Sequence, residues 1–413
     1  MSHDGVAGLS KRAASGLSVS IVWLLAICCA ASVANVYYAQ PLLDAIAADF
    51  GISHAMVGGV ITATQLGCAL ALFFVVPLGD LLDRKRLVTL QLVALMLALA
   101  LVCSANSLWL LLAAMVGVGM LGTAMTQGLI AYSAVLAPPE QRGRVVGAAQ
   151  SGVVIGLLMA RVLAGFVSDV LGWRMVYLVS ALFALLMLCF LRLLLPNTPR
   201  ADTGISYQAL LGSMFTLLWR EKVLWVRGVL AMLMFAAFST FWSALVLPLS
   251  AAPYSMTHTA IGAFGLVGVI GALAAARAGH LTDRGLGQKT TAWALACLLL
   301  SWPAIALMDY SIWLLIVGII LLDLGGQAIH VVNQSMILSS RSDAHSRLIG
   351  CYMLFYSVGS GLGAIGSTAM YARWSWLGVC GLGFAISLLA LLFWRLSMSA
   401  MPRRAPAFAL QAD

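Results

Sequence analysis

The sequence contains few charged residues. Asp, Glu, Lys and Arg together make up 9% of the 413 residues, whereas a soluble domain has about 25%. Hydrophobic residues make up 62% of the chain, and apolar windows of about 20 residues, each long enough to cross a bilayer, recur from Leu17 to near Leu396. So few charges cannot solvate the surface of a soluble protein of this length, and we predict a protein that lies in a lipid bilayer.

Several enzyme and metal-site motifs are absent from the sequence. It has no Walker phosphate loop, no HExxH zinc motif and no GxSxG nucleophile elbow. The histidines do not cluster as metal ligands, and the eight cysteines lie within or beside apolar runs without CxxC spacing. We therefore expect no enzymatic activity, no disulfide framework, no bound metal and no cofactor.

The basic residues indicate how the chain is oriented. The net charge of +9 could suggest a nucleic-acid partner, but the cations lie in alternate loops between the apolar runs. All but three of the 23 Lys and Arg residues fall on one side of the membrane, and the exceptions are Arg161, Arg174 and Arg373. By the positive-inside rule we expect both termini and the central loop in the cytoplasm, and no nucleic-acid partner.

The apolar runs predict membrane-spanning helices, because a segment in lipid must satisfy its own backbone hydrogen bonds. The predicted fold class is an all-α polytopic membrane protein with twelve helices, numbered here as spans 1 to 12. Their predicted ranges are 18–47, 54–82, 86–105, 107–136, 143–170, 173–195, 222–250, 257–283, 288–308, 311–339, 344–371 and 375–397. Between spans 6 and 7, Tyr207–Trp219 predicts a short amphipathic helix on the inner surface.

A repeated motif divides the chain into two halves. Pro77–Arg86 is the one dense charge cluster of the first half, and its skeleton Gly-x-Leu-x-Asp-Arg recurs 200 residues later in Gly279–Arg284. Gln127 and Gln327 match at the same offset. We predict an N-terminal six-helix bundle over 1–195, a cytoplasmic linker over 196–221 and a C-terminal six-helix bundle over 222–413. Parallel repeats with a site at their interface are a transporter arrangement.

This motif, its copy and the two-by-six layout resemble the major facilitator superfamily. Within it, Asn35–Pro41 and Pro138–Arg144 resemble the twelve-helix drug:proton antiporters and related efflux carriers. The resemblance implies the fold of that superfamily, transport by alternating access and a cytoplasmic latch that exists only while the inner face is closed. We expect a monomer. The latch residues implied are Gly79, Asp83, Arg84, Gly279, Asp283 and Arg284.

In such a latch, Asp83 is expected to meet the positive N-terminus of span 11 near Ser346, and Arg84 to pair with Glu140 or Asp80. Three departures from the pattern of the superfamily are visible. Arg86 stands where a glycine is usual, span 4 carries no arginine in its outer half, and Leu157, Ala160 and Arg161 replace the Pro and the Gly pair of the span 5 antiporter motif. If protons couple to transport, the role of the missing span 4 arginine falls to Arg161, Asp44, Asp323 or His330.

Ionisable and polar residues within the spans are the main site candidates, because each is costly in lipid. Asp323, Gln327, His330 and Gln334 are spaced i, i+4, i+7 and i+11 and share one face of span 10. They indicate either a cavity wall in which Asp323 or His330 takes a coupling proton, or an interhelical hydrogen-bond network. We interpret Arg161 as the only cation deep within a span, holding an anionic substrate or pairing with Asp323.

Amide and aromatic groups complete the predicted cavity. An aromatic stripe favours packing or lipid contact, but amides beside aromatics also suit an amphipathic organic ligand. The amide and tyrosine candidates of the first half are Asn35, Tyr38, Gln40, Gln65 and Gln127. Those of the second half are Phe235, Phe238, Ser239 and Trp242 on span 7, with Tyr352 and Tyr356 on span 11.

The function predicted from these features is secondary transport in a bacterial inner membrane. The partners expected are the lipid bilayer, a small amphipathic organic solute and protons, with export of the solute linked to proton entry. One alternative is an importer or facilitator of a polar or anionic metabolite, with Arg161 as its anchor. Another is a transport-incompetent membrane sensor on the same fold, which predicts a soluble signalling appendage or a degraded latch.

Overall fold

The computed structural model describes residues 18–138, 140–195, 206–339 and 345–398. All regular elements in these ranges are helices, and ten helical runs are long and apolar enough to cross a membrane. Two of the runs, His258–Ala306 and Arg347–Ser397, are 49 and 51 residues long. The first breaks at Gly285 (φ 79°) and the second at Ser375 (φ 51°), so each contains two crossings. The described chain therefore contains the twelve crossings predicted, and the all-α polytopic fold class is confirmed.

The spans have the following bounds. Spans 1 to 6 comprise Val19–Tyr37, His54–Leu70 with its continuation Ala71–Val75, Arg84–Ser104, Leu108–Leu136, Arg142–Leu171 and Trp173–Leu194. Spans 7 to 10 comprise Lys222–Ala244, His258–Leu281 in three successive pieces, Gly287–Ala306 and Ile312–Leu338. Spans 11 and 12 are the two parts of His345–Ser397. The division into a domain at 1–195, a linker and a domain at 222–413 stays a prediction, and 1–17, 196–205 and 399–413 lie outside the described residues.

Span 1 is shorter than predicted because of Pro41. The α-helix ends at Tyr37, and the chain continues through the one-turn helix Gln40–Leu42 into the short helix Leu43–Phe50. Proline has no N–H to donate and its ring clashes with the preceding turn, which kinks or breaks a helix. The break turns Gln40 toward the interior, where its side chain is 5% exposed.

The linker carries the predicted amphipathic helix, observed at Tyr207–Arg220. Leu210, Met214 and Leu217 are its buried residues and follow helical spacing, whereas Trp219 is 86% exposed. The hydroxyl of Tyr207 donates to the carbonyl of Phe74 over 2.8 Å. The helix therefore lies against the end of span 2 with its apolar face covered.

We call the end of the bundle that carries the loop Pro77–Arg86 the inner end, and the opposite end the outer end. At the outer end the two halves are in backbone contact. A Cβ added at Gly165 of span 5 would lie 2.3 Å from the carbonyl oxygen of His258 in span 8. In the same way, a Cβ at Gly58 of span 2 would lie 2.7 Å from the carbonyl oxygen of Ala364 in span 11. A side chain at either glycine would collide with the facing span, so these helices are in direct contact and the outer end is closed.

At the inner end a cavity of about 420 Å³ lies between the halves. Its wall combines residues of span 2 and the loop after it, spans 3 and 4, the linker helix and spans 10 and 11, among them Gly79, Gln91, Gln127, Met214 and Met353. The described bundle is therefore closed at its outer end and holds a cavity at its inner end.

The predicted latch residues lie at this inner end. The Asp83 carboxylate accepts the backbone N–H of Arg86 over 2.8 Å and thereby caps span 3. Asp283 and Arg284 lie exposed in the one-turn helix Thr282–Leu286, next to the break at Gly285. The side chains of Asp80 and Ser346 lie outside the described residues. The contacts predicted for a closed inner face therefore stay predictions, because this structure has a cavity at the inner end.

Candidate transport site

Arg161 lies where spans 1, 5 and 8 meet. Span 5 packs flush on span 1, because Gly152 and Gly156 present no side chain to its backbone, and an added Cβ would lie 2.1 Å and 2.3 Å from carbonyl oxygens of that helix. Gly262 of span 8 packs as closely on the backbone of Arg161 itself, with an added Cβ 2.3 Å from its carbonyl oxygen. This packing leaves the arginine side chain 3% exposed.

The guanidinium of Arg161 is fixed on two sides. Its Nε donates to Oε1 of Gln40 over 2.8 Å, and its Cζ lies 4.1 Å from the ring centroid of Trp242 and 5.5 Å from that of Tyr37. A cation over an indole face at this distance is attracted by the ring quadrupole. Nη2 has no hydrogen-bond partner. The group is therefore held in one orientation, with its donor Nη2 unused.

Asp323 reaches the same place from the other half. It is 3% exposed, and its Oδ2 has no hydrogen-bond partner. Span 8 makes room for both charges with glycines in and after its turn Phe264–Gly268. A Cβ at Gly265 would lie 3.3 Å from Cδ of Arg161, and a Cβ at Gly268 would lie 2.9 Å from Oδ2 of Asp323. The cation of span 5 and the carboxylate of span 10 thus attract each other across a strip of glycine backbone.

The Nε1 of Trp242 is a third buried polar atom here; it lies beside the Asp323 carboxylate, but the contact falls short of hydrogen-bond geometry. Nine buried side-chain polar atoms without a hydrogen-bond partner occur in the described part of the chain, and three of them belong to Arg161, Trp242 and Asp323. An unbonded buried polar group costs about 1–3 kcal/mol, and more when it is charged. Since native structures avoid such groups, we take these three residues together with Gln40 as the central cluster and the candidate site.

Aromatic residues lie on the inner side of the central cluster. The hydroxyls of Tyr37 and Tyr356, from opposite halves, are hydrogen-bonded to each other. The ring of Phe235 stands edge-on against Tyr356 and His330, with centroid distances of 4.1 Å and 5.2 Å. His330 is seven residues beyond Asp323 on span 10, about 10 Å further inward at 1.5 Å per residue. These rings therefore lie between the central cluster and the inner cavity.

Comparison with known proteins agrees with this architecture. The family model described as Major Facilitator Superfamily matches residues 22–300. The uncharacterised transporter YgaY of Escherichia coli (strain K12) is 38% identical over 385 residues, which is 92% of this chain and 95% of that protein. The chain belongs to the Major Facilitator Superfamily. It is therefore a multi-pass membrane transporter of a small solute, not an enzyme.

One further relative and one solved structure are similar to this superfamily member. The purine ribonucleoside efflux pump NepI of Escherichia coli (strain K12) is 32% identical over 184 residues, which is 44% of this chain and 46% of that protein. The crystal structure of a bacterial homologue of the human lysosomal transporter Spinster, in an inward-facing and occupied conformation, superposes with a TM-score of 0.76. It shares 16% identity and covers 94% of this chain and 98% of that one, a likeness that shows the fold alone.

The four polar residues predicted to share one face of span 10 have two different environments. Asp323 belongs to the central cluster. His330 is hydrogen-bonded through Nδ1 to the Tyr352 hydroxyl over 2.9 Å, and Nε2 lies 3.2 Å from Gln334. Gln327 is half-buried between them. The cavity interpretation fits the position of Asp323, and the network interpretation fits the contacts of His330.

Other predicted site residues are dispersed. Gln127 lines the inner cavity, and Gln65 is buried with Oε1 unbonded. Asn35 accepts a hydrogen bond from Ser180 over 2.7 Å, and Tyr38 stands edge-on against Tyr177 at a centroid distance of 6.5 Å. The last two contacts tie span 1 to span 6 within one half, so the structure does not bring Asn35 and Tyr38 to the central cluster.

One sequence prediction about the cations is wrong. Arg227 is one of the cations that the sequence places on the inner side of the membrane, but it is 1% exposed within span 7, so Arg161 is not the only cation deep within a span. Its Nη1 donates to Thr291 over 3.1 Å and to Asn333 over 3.3 Å. Span 7 begins at Lys222, which places Arg227 more than one turn inside the bundle. Polar groups of spans 9 and 10 hold it there, a pairing that no local sequence signal reveals.

Proposed function

We propose that this carrier exports a small amphipathic organic solute across a bacterial inner membrane in exchange for protons. Its two halves would alternate access to the central cluster, with both termini in the cytoplasm. The observation that carries the proposal is the facing pair Arg161 and Asp323. They come from opposite halves, are both 3% exposed, and each has an unbonded polar atom.

The proton-binding step follows from the cost of burial. An ionised carboxylate with an unbonded oxygen is expensive in a membrane interior, and it is relieved by a proton or by a hydrogen-bond donor from a ligand. Asp323 can accept either of these, but a proton on Oδ2 occupies the position that a ligand donor would need. Solute and proton therefore compete for Asp323 and bind in turn, as exchange of one for the other requires.

The surroundings of the pair suit an amphipathic solute. Trp242 and Tyr37 supply aromatic rings whose faces Arg161 covers in this conformation, so a solute that binds them must take the place of the guanidinium. Arg161 supplies a charged donor and Asp323 supplies an acceptor. A planar organic molecule with polar edges can stack on the rings and bond to both charges. The name of the relative NepI, a purine ribonucleoside efflux pump, supports export and gives one solute class of this chemistry.

Sealed vesicles with an imposed proton gradient test the proposal. Cationic, neutral and anionic organic compounds, with purine nucleosides among the neutral ones, would be assayed for movement against the proton flux. We expect accumulation of at least one compound that stops when a protonophore collapses the gradient. Transport of every accepted compound at a rate independent of the gradient would refute proton coupling.

A second candidate is import or facilitated passage of a polar or anionic metabolite. The observation that favours it is the unbonded Nη2 of Arg161, which can bind a carboxylate or phosphate oxygen. This function predicts that anions equilibrate across the vesicle membrane in both directions without a proton gradient. Replacing Arg161 by Gln would then abolish anion transport and leave neutral compounds unaffected.

A further inference from the structure

At the outer end, His258 of span 8 lies between two carboxylates of the other half. Its Nε2 is 3.0 Å from Oδ1 of Asp44, and its Nδ1 is 2.9 Å from Oδ1 of Asp169. Asp44 lies in the short helix after span 1, and Asp169 lies near the outer end of span 5. The three side chains are 19–21% exposed, so solvent on the outer side can exchange protons with them.

Asp169 also binds the backbone at the start of span 8. Its Oδ1 accepts the N–H of His258 over 2.9 Å, and its Oδ2 accepts the N–H and the hydroxyl of Thr259 over 2.8 Å and 2.6 Å. These bonds join span 5 to span 8 across the boundary between the halves. Together with the imidazole contacts, they form a polar link between the halves at the described outer end.

The bridge fixes the number of protons on His258. An ionised carboxylate only accepts hydrogen bonds, so both ring nitrogens must carry hydrogen, which only the imidazolium form provides. A neutral imidazole would turn a nitrogen lone pair toward one of the two carboxylates. The bridge therefore needs one proton more than a neutral His258 carries.

The other charged groups nearby are engaged elsewhere. On the helix of Asp44, Asp49 bonds to Arg174 and Trp173. On span 5, Arg161 bonds to Gln40. The short helix Val246–Ser250, which also packs on the start of span 8, has no titratable residue. Within the described residues, His258 is thus the cation that Asp44 and Asp169 share.

We propose that Asp44, His258 and Asp169 form a proton-binding site of the outer gate, which takes up one proton on His258 when the gate closes and releases it when the gate opens. The proposal rests on the alternating-access cycle proposed above, but not on the solute or on Asp323. In an open gate the halves separate and His258 loses both carboxylates. An exposed imidazole titrates near pH 6.5, so in neutral or alkaline surroundings it has lost the proton that closure requires.

The gate site is continuous with the central cluster. Asp169 is eight residues beyond Arg161 on span 5, about 12 Å along the helix. Between them, Gly165 and Gly262 keep spans 5 and 8 in backbone contact. Separating the two spans at Asp169 therefore exposes Arg161 to the outer side. Acid outside would favour the closed outer gate, which is the direction in which a proton-driven exporter returns to load solute.

Distance measurements between spin labels at the outer end test the proposal. Labels at Asn106→Cys and Tyr310→Cys, both exposed and in opposite halves, would be placed in a chain whose eight native cysteines are replaced. The protein would be studied in nanodiscs without solute. With one linked proton, the ratio of closed to open gates falls by up to tenfold per pH unit above about 6.5. We expect a growing long-distance population between pH 6.5 and 8.5.

Two variants of His258 separate the proton from other causes. His258→Gln has no proton to gain, and we expect distances that no longer depend on pH. His258→Arg keeps a cation with several donors, and we expect short distances at both pH values. His54→Gln is the matched control: His54 also lies at the outer end but faces the ring of Tyr371, so its loss should leave the pH dependence of the wild type.

Equal distances at pH 6.5 and 8.5 in the wild type would overturn the proposal, as would full pH dependence in His258→Gln. Gel filtration would show whether His258→Gln folds. If it does not fold, His258→Arg provides the test, because a label-to-label distance that changes with pH in that variant would contradict the proposed proton-binding site. The experiment uses no solute and no proton gradient. A failure of proton-linked export in vesicles would therefore appear separately from a failure of the gate site.

Discussion

Replacing Asp323 by Asn removes the charge of the proposed exchange site with little change in shape. A carboxylate that alternately binds proton and solute links the two gradients. One pH unit corresponds to about 1.4 kcal/mol per proton, which for one exchanged proton sustains about a tenfold concentration ratio of the solute. An amide cannot take up the proton in this range, so in Asp323→Asn we expect that ratio to fall to one.

The assay is accumulation of radiolabelled solute in proteoliposomes across a one-unit pH step, together with exchange of labelled for unlabelled solute without any pH step. We expect Asp323→Asn to lose accumulation and to retain exchange, because exchange needs the conformational cycle but no proton. Asp309→Asn is the matched control. Asp309 lies at the outer end of the same half, accepts a hydrogen bond from Tyr254 and should behave as the wild type. Normal accumulation by Asp323→Asn would remove this residue from the coupling mechanism.

Three further predictions concern other parts of the molecule. Asp83→Asn should slow turnover but leave the equilibrium binding of solute unchanged, as measured by initial rates and by calorimetry, because the latch acts only on the closed inner face. Gly165→Leu should keep the outer gate open, because a Cβ there would lie 2.3 Å from a backbone carbonyl of span 8. The reaction of cysteines in the protein with a reagent added from the outer side should then increase, and transport should stop. Arg227→Ala removes the donor to Oδ1 of Asn333, whereas the Thr291 hydroxyl keeps its hydrogen bond to the carbonyl of Gly287. An unbonded buried amide oxygen costs about 1–3 kcal/mol, so the melting temperature should fall without a change in solute affinity.

Much of the fold follows from composition and local chemistry. The twelve crossings follow from apolar length, and the break in span 1 follows from Pro41. Arg161 and Asp323 stood out because a charge in a span is expensive, and repeat symmetry suggested that they meet. The local sequence was therefore sufficient where a single residue type, such as a proline or a charged residue within a span, dictates the structure around it.

Features that depend on distant pairings could not be predicted. His258 lies 214 residues from Asp44 and 89 from Asp169, and nothing near any of these residues indicates that they meet. Arg227 lies close to a span end, where a cation normally extends to the membrane surface. Only the packing of spans 7, 9 and 10 shows that it is enclosed. The sequence shows only that few cations lie at the outer end to pair with its aspartates. It does not show that His258 is their partner.

Proton movement driven by solute tests the central claim most directly. Proteoliposomes with a pH-sensitive dye inside and no initial pH gradient would receive a gradient of a transported solute. We predict that solute entry drives protons out and raises the internal pH in the wild type, and that Asp323→Asn shows solute movement without a pH change. Solute entry into wild-type vesicles with no change in internal pH would contradict proton exchange at the central cluster.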